Sequence, residues 1–382
     1  MNRQKIIVII LSIVTVVAVC AIIVCSISIF KYAQSINDTQ ADNSNNIKPT
    51  ESAVADDVMD NKEEISLLIQ QDPVIYTYED MENDVKSIAE HYSDLVKYNV
   101  LTETFDQRNV YDIVVGDEYA ENHLLVTGSI HACEYITTKL VMRQLDDFLK
   151  DLSTDEIVYN GLTANELLDN CAIHVIPMIN PDGVSISQSG LDGLKTEAAK
   201  NKIAEIAALD GQQITEDYLT TWKANAEGID LNRNFDASWE DYAGASHPSS
   251  SHYKGAYIGC ANESRALIEL TEKYPFKRTI SYHTQGEVIY WYFGQEGEFR
   301  TQTEEFAKLI SSETGYVLDE NYTALDPAGY KDWALDKLNI PSVTIEVGKG
   351  VNPVEHSQID SIWEKNQNVW YAALYNIRQQ TL

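Results

Sequence analysis

The chain has 382 residues, 44% of them hydrophobic, with 59 acidic against 28 basic side chains and a formal net charge of −31. That much apolar material supports a large core. A surface this acidic repels a phosphate backbone, which excludes nucleic acid as a partner and leaves a solvent-facing enzyme or ectodomain.

Arg3 and Lys5 precede an apolar run from Ile6 to Phe30, broken only by Ser12, Thr15, Ser26 and Ser28. A helix of about 20 apolar residues spans a bilayer, and this run exceeds the ~7–15 apolar residues of a secretory signal. One transmembrane helix is therefore expected over residues 1–31, with a cleaved signal as the alternative. The basic flank places the N-terminus inside and the rest of the chain outside the cell membrane. Residues 32–64, rich in Asn, Asp, Ser, Thr and Gln, bury too little to order themselves and read as a polar stalk. Residues 65–382 remain for one catalytic-sized α/β domain. Outside the apolar run stand Cys133, Cys171 and Cys260, an odd number that rules out a disulfide framework while leaving room for one pair.

Strands and helices then alternate. Val110–Val115 and Leu124–Thr127 read as strands, Thr137–Leu149 as a helix with an apolar face, and Ala172–Ile176 as a buried strand closed by Pro177. A helix over Ile203–Leu209, a helix over Arg265–Lys273, a strand over Arg278–Tyr282 and a strand over Val288–Phe293 follow. Phe306–Thr314 reads as a helix stopped by Gly315, Ser342–Val347 as a strand, and Gln358–Asn376 as the terminal helix. This alternation predicts an α/β fold: a mixed, largely parallel central sheet with helices on both faces. Ligand sites in such folds lie beyond the carboxyl ends of the strands.

His131 and Glu134 sit three apart in the turn after Leu124–Thr127, a spacing that can aim an imidazole and a carboxylate at one ion. A catalytic Zn²⁺ takes three such ligands plus water. Of the eight histidines, His283 closes the strand Thr279–Tyr282 and is the leading third ligand, with His247 and His252 as competitors in a Pro-Ser-rich loop. His174 reads as a core residue, and His91 and His356 as solvated ones. Glu346 is a lone carboxylate in an otherwise apolar strand, a costly placement unless it serves a site.

Five segments occur in order: Gly128–Glu134, Asn180–Gly183, Gly228–Phe235, Ser281–His283 and Thr344–Gly348. The set resembles the zinc carboxypeptidases of the carboxypeptidase A type, including the bacterial cell-wall γ-D-glutamyl–diamino-acid peptidases, and covers about residues 75–380. The resemblance implies one Zn²⁺ held by His131, Glu134 and His283, with Asp230 accepting a hydrogen bond from the far nitrogen of His131. It implies Glu346 as general base and acid, and Asn232 with Arg233 as the clamp on a substrate's terminal carboxylate. Lys223 stands where the family usually has an arginine that polarises the scissile carbonyl. Tyr322 is the counterpart of a mobile tyrosine, further upstream than the usual spacing. Lys331, directly before Asp332 and Trp333, falls at the position that reads the terminal side chain, where a lysine suits a carboxylate-bearing one such as glutamate or diaminopimelate. The Asn and Asp of Asn180–Gly183 are expected to shape their turn. The implied activity is a metallocarboxypeptidase acting on peptides or muropeptides, cell-wall stem peptides among them. A deacylase on the same zinc site and a non-catalytic surface binding module are the rival readings.

Overall fold

The computed structural model describes residues 67–69, 72, 74–320 and 327–381. The expected anchor and stalk lie outside the described residues, as does Tyr322. Among the described residues no helix is long and apolar enough to cross a membrane.

The strands are β1 (Val96–Glu103), β2 (Asn109–Gly116), β3 (Asn122–Thr127), β4 (Ile157–Tyr159), β5 (Leu162–Thr163), β6 (Cys171–Ile176), β7 (Phe276–His283), β8 (Val288–Tyr290), β9 (Val317–Asp319) and β10 (Ser342–Glu346). The longer helices are α1 (Tyr78–His91), α2 (Ile136–Leu152), α3 (Pro181–Ser189), α4 (Glu197–Leu209), α5 (Asn262–Lys273), α6 (Gly297–Thr314), α7 (Tyr330–Leu338), α8 (Ile359–Asn366) and α9 (Val369–Thr381). Among the described residues, eight strands form one sheet in the order β1-β2-β6-β3-β7-β10-β8-β9, and β4 with β5 makes a separate hairpin. The centre, β6-β3-β7-β10, is parallel. On one side β1 and β2 run antiparallel, and on the other β8 runs antiparallel to β10 while β9 is parallel to β8.

The mixed sheet expected from the sequence is present, and its two faces are both covered. Every residue of β3 and β6 is buried. Successive β3 side chains point to opposite faces. Leu124 and Val126 join the core formed with Leu140, Leu145 and Phe148 of α2 and Trp370 of α9, while Leu125 joins Leu267 of α5 and Trp333 of α7. This two-sided burial is why the central strands read as apolar runs rather than as alternation.

Three departures stand out. β1 lies at the sheet edge with mostly exposed side chains, so it lacks an apolar signature. Asn180–Gly183, expected as a loop, opens α3: Asn180 is its N-cap, accepting from the Gly183 N–H, and Pro181 takes the first helical position. The terminal helix is two helices. The carbonyl of Asn366, at the break between α8 and α9, accepts from the Gln144 amide of α2.

Gly128 links β3 to the following turn under a steric limit: a Cβ there would come within 2.8 Å of the Pro177 carbonyl oxygen. Gly128→Ala should therefore destabilise the fold by about 1–3 kcal/mol in urea denaturation. An unchanged midpoint would contradict this account of the turn.

Candidate active site

Parallel pairing brings the carboxyl ends of β3, β7 and β10 to one edge. Thr127 pairs with Ser281, and Glu346 pairs with His283. The β3 chain leaves through Gly128 into a single 3-10 turn, Ala132–Glu134, with extended His131 at its N-cap. The turn swings Glu134 back under His131.

Glu134 is the meeting point. Its Oε1 lies 2.9 Å from His131 Nδ1 and its Oε2 lies 2.8 Å from His283 Nδ1. The Thr284 N–H donates to Oε2 at 3.2 Å. All three side chains are buried, and one ligating atom from each lies within 4.8 Å of the others. On the far side of the His131 ring, Asp230 Oδ1 is 3.3 Å from Nε2, near enough for electrostatic pairing but off the hydrogen-bonding direction. Asp230 is itself held by the N–H groups of Asn232 and His252. The donor set suits Zn²⁺, for which two imidazoles and a carboxylate are ordinary ligands. The pairing of Nε2 with Asp230 leaves Nδ1 of His131 facing the cluster.

The electrostatics follow from burial among charges. Burial alone would depress His131, but the Glu134 and Asp230 carboxylates outweigh it and push it up to about 9. Burial disfavours the Glu134 and Asp230 carboxylates, yet the neighbouring imidazoles hold both well below the usual range. Glu346 goes the other way: burial and the charge of Glu134 push it up to about 8, against the pull of His131 and Lys223. Burial works against the charge on Lys223, and the carboxylates around it, Glu134 foremost, raise it.

His131, Glu134, His283, Glu346 and Lys223 line a cavity of about 260 Å³, together with Asn232, Arg233 and Lys331. The Asn232 side-chain oxygen accepts from the Tyr330 N–H at the start of α7, which fixes the turn bearing Arg233 against that helix. The Arg233 guanidinium donates to the Asn232 carbonyl and lies 5.3 Å from the centre of the Tyr242 ring. Lys331 is buried in the cavity wall rather than pointing to solvent, with its ammonium paired to Asp332 and donating to the Tyr292 carbonyl. The pairing alters the expectation of a lone positive charge at that position.

The other histidines stay apart. His174 is buried between Asp112 and His123, as a core residue should be. The His252 ring contacts the Tyr242 hydroxyl, and His247 faces Asp210 at 3.8 Å. Cys133, Cys171 and Cys260 are unpaired thiols. Asp332, Tyr290, Thr284 and Thr344 also line the cavity and were not singled out from sequence. Strand alternation could have found Thr344, two residues before Glu346 on the same face. Asp332 had a signal too, as a carboxylate next to Lys331.

Known proteins share this arrangement at the level of sequence and fold. The zinc carboxypeptidase family profile matches residues 81–369. Gamma-D-glutamyl-L-diamino acid endopeptidase 1 of Lysinibacillus sphaericus is 33% identical over 304 residues, covering 78% of this chain and 72% of that protein. The uncharacterized protein YqgT of Bacillus subtilis (strain 168) is 28% identical, covering 79% and 77%. Among solved structures, thrombin activatable fibrinolysis inhibitor superposes with a TM-score of 0.66 at 16% identity, covering 80% of this chain and 75% of that one, a likeness of fold. With a match over most of its length and a relative at this identity, the chain belongs to the zinc carboxypeptidase family, Peptidase_M14.

Proposed function

We propose that this zinc carboxypeptidase-family hydrolase cleaves the peptide bond next to a free C-terminal carboxylate, with cell-wall stem peptides as its substrates. The observation that carries the reading is one cavity in which the His131–Glu134–His283 cluster, the raised carboxyl of Glu346 and the guanidinium of Arg233 all face the same space. A binding module would have no use for Glu346 beside that cluster.

His131, Glu134 and His283 would hold the zinc, with Asp230 fixing the orientation of His131. A zinc ion held there would supply Lewis acidity for activating a water and polarising the scissile carbonyl. Glu346 accepts the proton of the attacking water and returns it to the leaving amine, a task that favours a pKa near the working pH. Arg233, with Asn232 setting its turn, grips the terminal carboxylate through parallel hydrogen bonds. Lys223 faces the developing negative charge on the carbonyl oxygen as a point charge rather than a planar fork. Tyr322 is a further substrate contact that the resemblance implies. At the side-chain end of the cavity, the Lys331–Asp332 pair favours a group that brings both charges. Diaminopimelate does so at its distal end and glutamate does not. The Lysinibacillus relative's name, a diamino-acid endopeptidase, agrees with that side chain and supports a second reading in which the bond cleaved lies inside a longer peptide. The apolar run at Ile6–Phe30 supports membrane-anchored display outside the cell, where wall peptides are accessible.

Metal dependence is the first test. A soluble fragment lacking the apolar run should lose activity to a chelator and recover it with Zn²⁺. His283→Ala should abolish zinc retention, while His247→Ala and His252→Ala should keep it. Full turnover after complete demetallation would contradict the reading.

Glu346→Gln should keep the metal and the fold and lower kcat by about 10²–10⁴-fold, the usual contribution of a positioned proton carrier. A Gln variant with parental turnover would remove Glu346 from the chemistry.

The substrate terminus is tested with peptides ending in diaminopimelate, Glu, Phe or Arg, each free or amidated. Amidation should cost the parent roughly 10–10²-fold in kcat/KM, the worth of a charge-assisted hydrogen bond, and cost Arg233→Ala little more. Diaminopimelate should be preferred, and Lys331→Asp should shift preference toward Arg. Equal cleavage of free and amidated peptides by the parent would favour the endopeptidase reading. A side-chain preference unchanged by Lys331→Asp would take that residue out of the pocket.

A further inference from the structure

Asn180 belongs to a segment that resemblance marks and that the proposed chemistry leaves without a task. Its side chain is fully buried. The amide nitrogen donates to three carbonyls: Ile130 at 3.2 Å, Lys223 at 3.3 Å and Ala224 at 3.0 Å. Ile130 adjoins the metal-cluster residue His131, while Lys223 and Ala224 belong to the loop that carries the Lys223 ammonium into the cavity. The amide oxygen is occupied too, accepting from Gly183 N–H as the cap of α3. The backbone adds to the joint: the Asn180 N–H donates to Ser129, and the Ala132 N–H donates to Lys223. One rigid planar group thus spans two loops that are far apart in sequence and that both contribute side chains to the cavity.

The packing around this joint leaves no slack. A Cβ on Gly183 would lie 2.5 Å from the Ala224 oxygen and 2.6 Å from the Asn180 amide. On its other side the Lys223 loop is held by the Ser250 carbonyl, which accepts from the N–H groups of both Lys223 and Ala224. Lys223 therefore leaves a backbone pinned between Ser250 and Asn180. Its ammonium acts as a point charge, so its effect depends on distance rather than on bidentate geometry.

We infer that Asn180 is a positioning residue for the reaction: its amide sets the register between the His131–Glu134 turn and the Lys223 loop, and so sets where the Lys223 ammonium stands relative to the scissile carbonyl. The inference rests on the proposed role of Lys223 and extends it to a residue that touches no substrate. Asp182, two residues on, faces away from the cavity. It accepts from Thr104 and from the Asp106 N–H and pairs with Arg108, anchoring the same turn to the β1–β2 connection.

The test is a double-mutant cycle on the zinc-loaded protein, with zinc content and melting temperature measured for every variant. Asn180→Ser keeps a capping oxygen for Gly183 and lacks the amide that spans three carbonyls. It should retain zinc, leave KM nearly unchanged, and lower kcat on the order of 10–10²-fold, as a displacement of about 1 Å in a catalytic group does. In a Lys223→Ala background the same change should lower kcat by less than about threefold, because residues acting through one another are not additive. Should Asn180→Ser fail to fold, Gly183→Ala presses on the same joint from the other side and should show the same dependence on Lys223. Equal fold-losses in both backgrounds, or loss of zinc in step with activity, would overturn the positioning role while leaving Lys223 in place. A Lys223→Ala variant with parental kcat would overturn the role of Lys223 and this inference with it.

Discussion

The site depends on one buried carboxylate. Glu134 has an imidazole nitrogen against each of its oxygens, and a backbone N–H shares one of them. An isolated carboxylate at that depth would neutralise itself rather than stay charged. It keeps its charge because the ends of two strands deliver histidines to it from opposite sides. Delivery from β7 requires β3 and β7 to be parallel neighbours in the right register, and delivery from the β3 side requires the tight turn after Gly128. Topology, register and turn therefore converge on a single group.

Around that group the charges alternate. His131 lies between Glu134 and Asp230, and Lys223 stands among Glu134, Asp230 and Glu346. Glu346 is the exception. Nothing in the cluster donates a hydrogen bond to it, and burial beside Glu134 raises its pKa toward neutrality. The same surroundings thus push two carboxylates in opposite directions. The Lys331–Asp332 pair adds another pairing of opposite charges to the cavity lining.

Much of this was legible in the sequence, for identifiable reasons. The parallel centre of the sheet announced itself through apolar runs such as Ala172–Ile176, because strands covered on both faces need no polar alternation. His283 stood out by closing its strand, and Glu346 as a lone carboxylate in an otherwise apolar one. What could not be read depended on distant partners. The edge strand β1 has no buried face to pattern it. The break in the terminal helix coincides with a hydrogen bond from Gln144, more than two hundred residues away. Asn180 looked like a turn residue because its three acceptors come from loops that only the fold brings together. Lys331 could be placed in the pocket wall by resemblance, but its neutralisation by Asp332 depends on side-chain geometry that adjacency does not specify.

The central claim is that His131, Glu134 and His283 form one catalytic zinc site. Its most direct test is anomalous diffraction at the zinc absorption edge from crystals of the soluble domain. The account predicts a single strong peak within bonding distance of His131 Nδ1, His283 Nδ1 and the Glu134 carboxylate, with Glu346 and Arg233 facing it across the cavity. No peak at that position, or a peak at His247 or His252 instead, would contradict it.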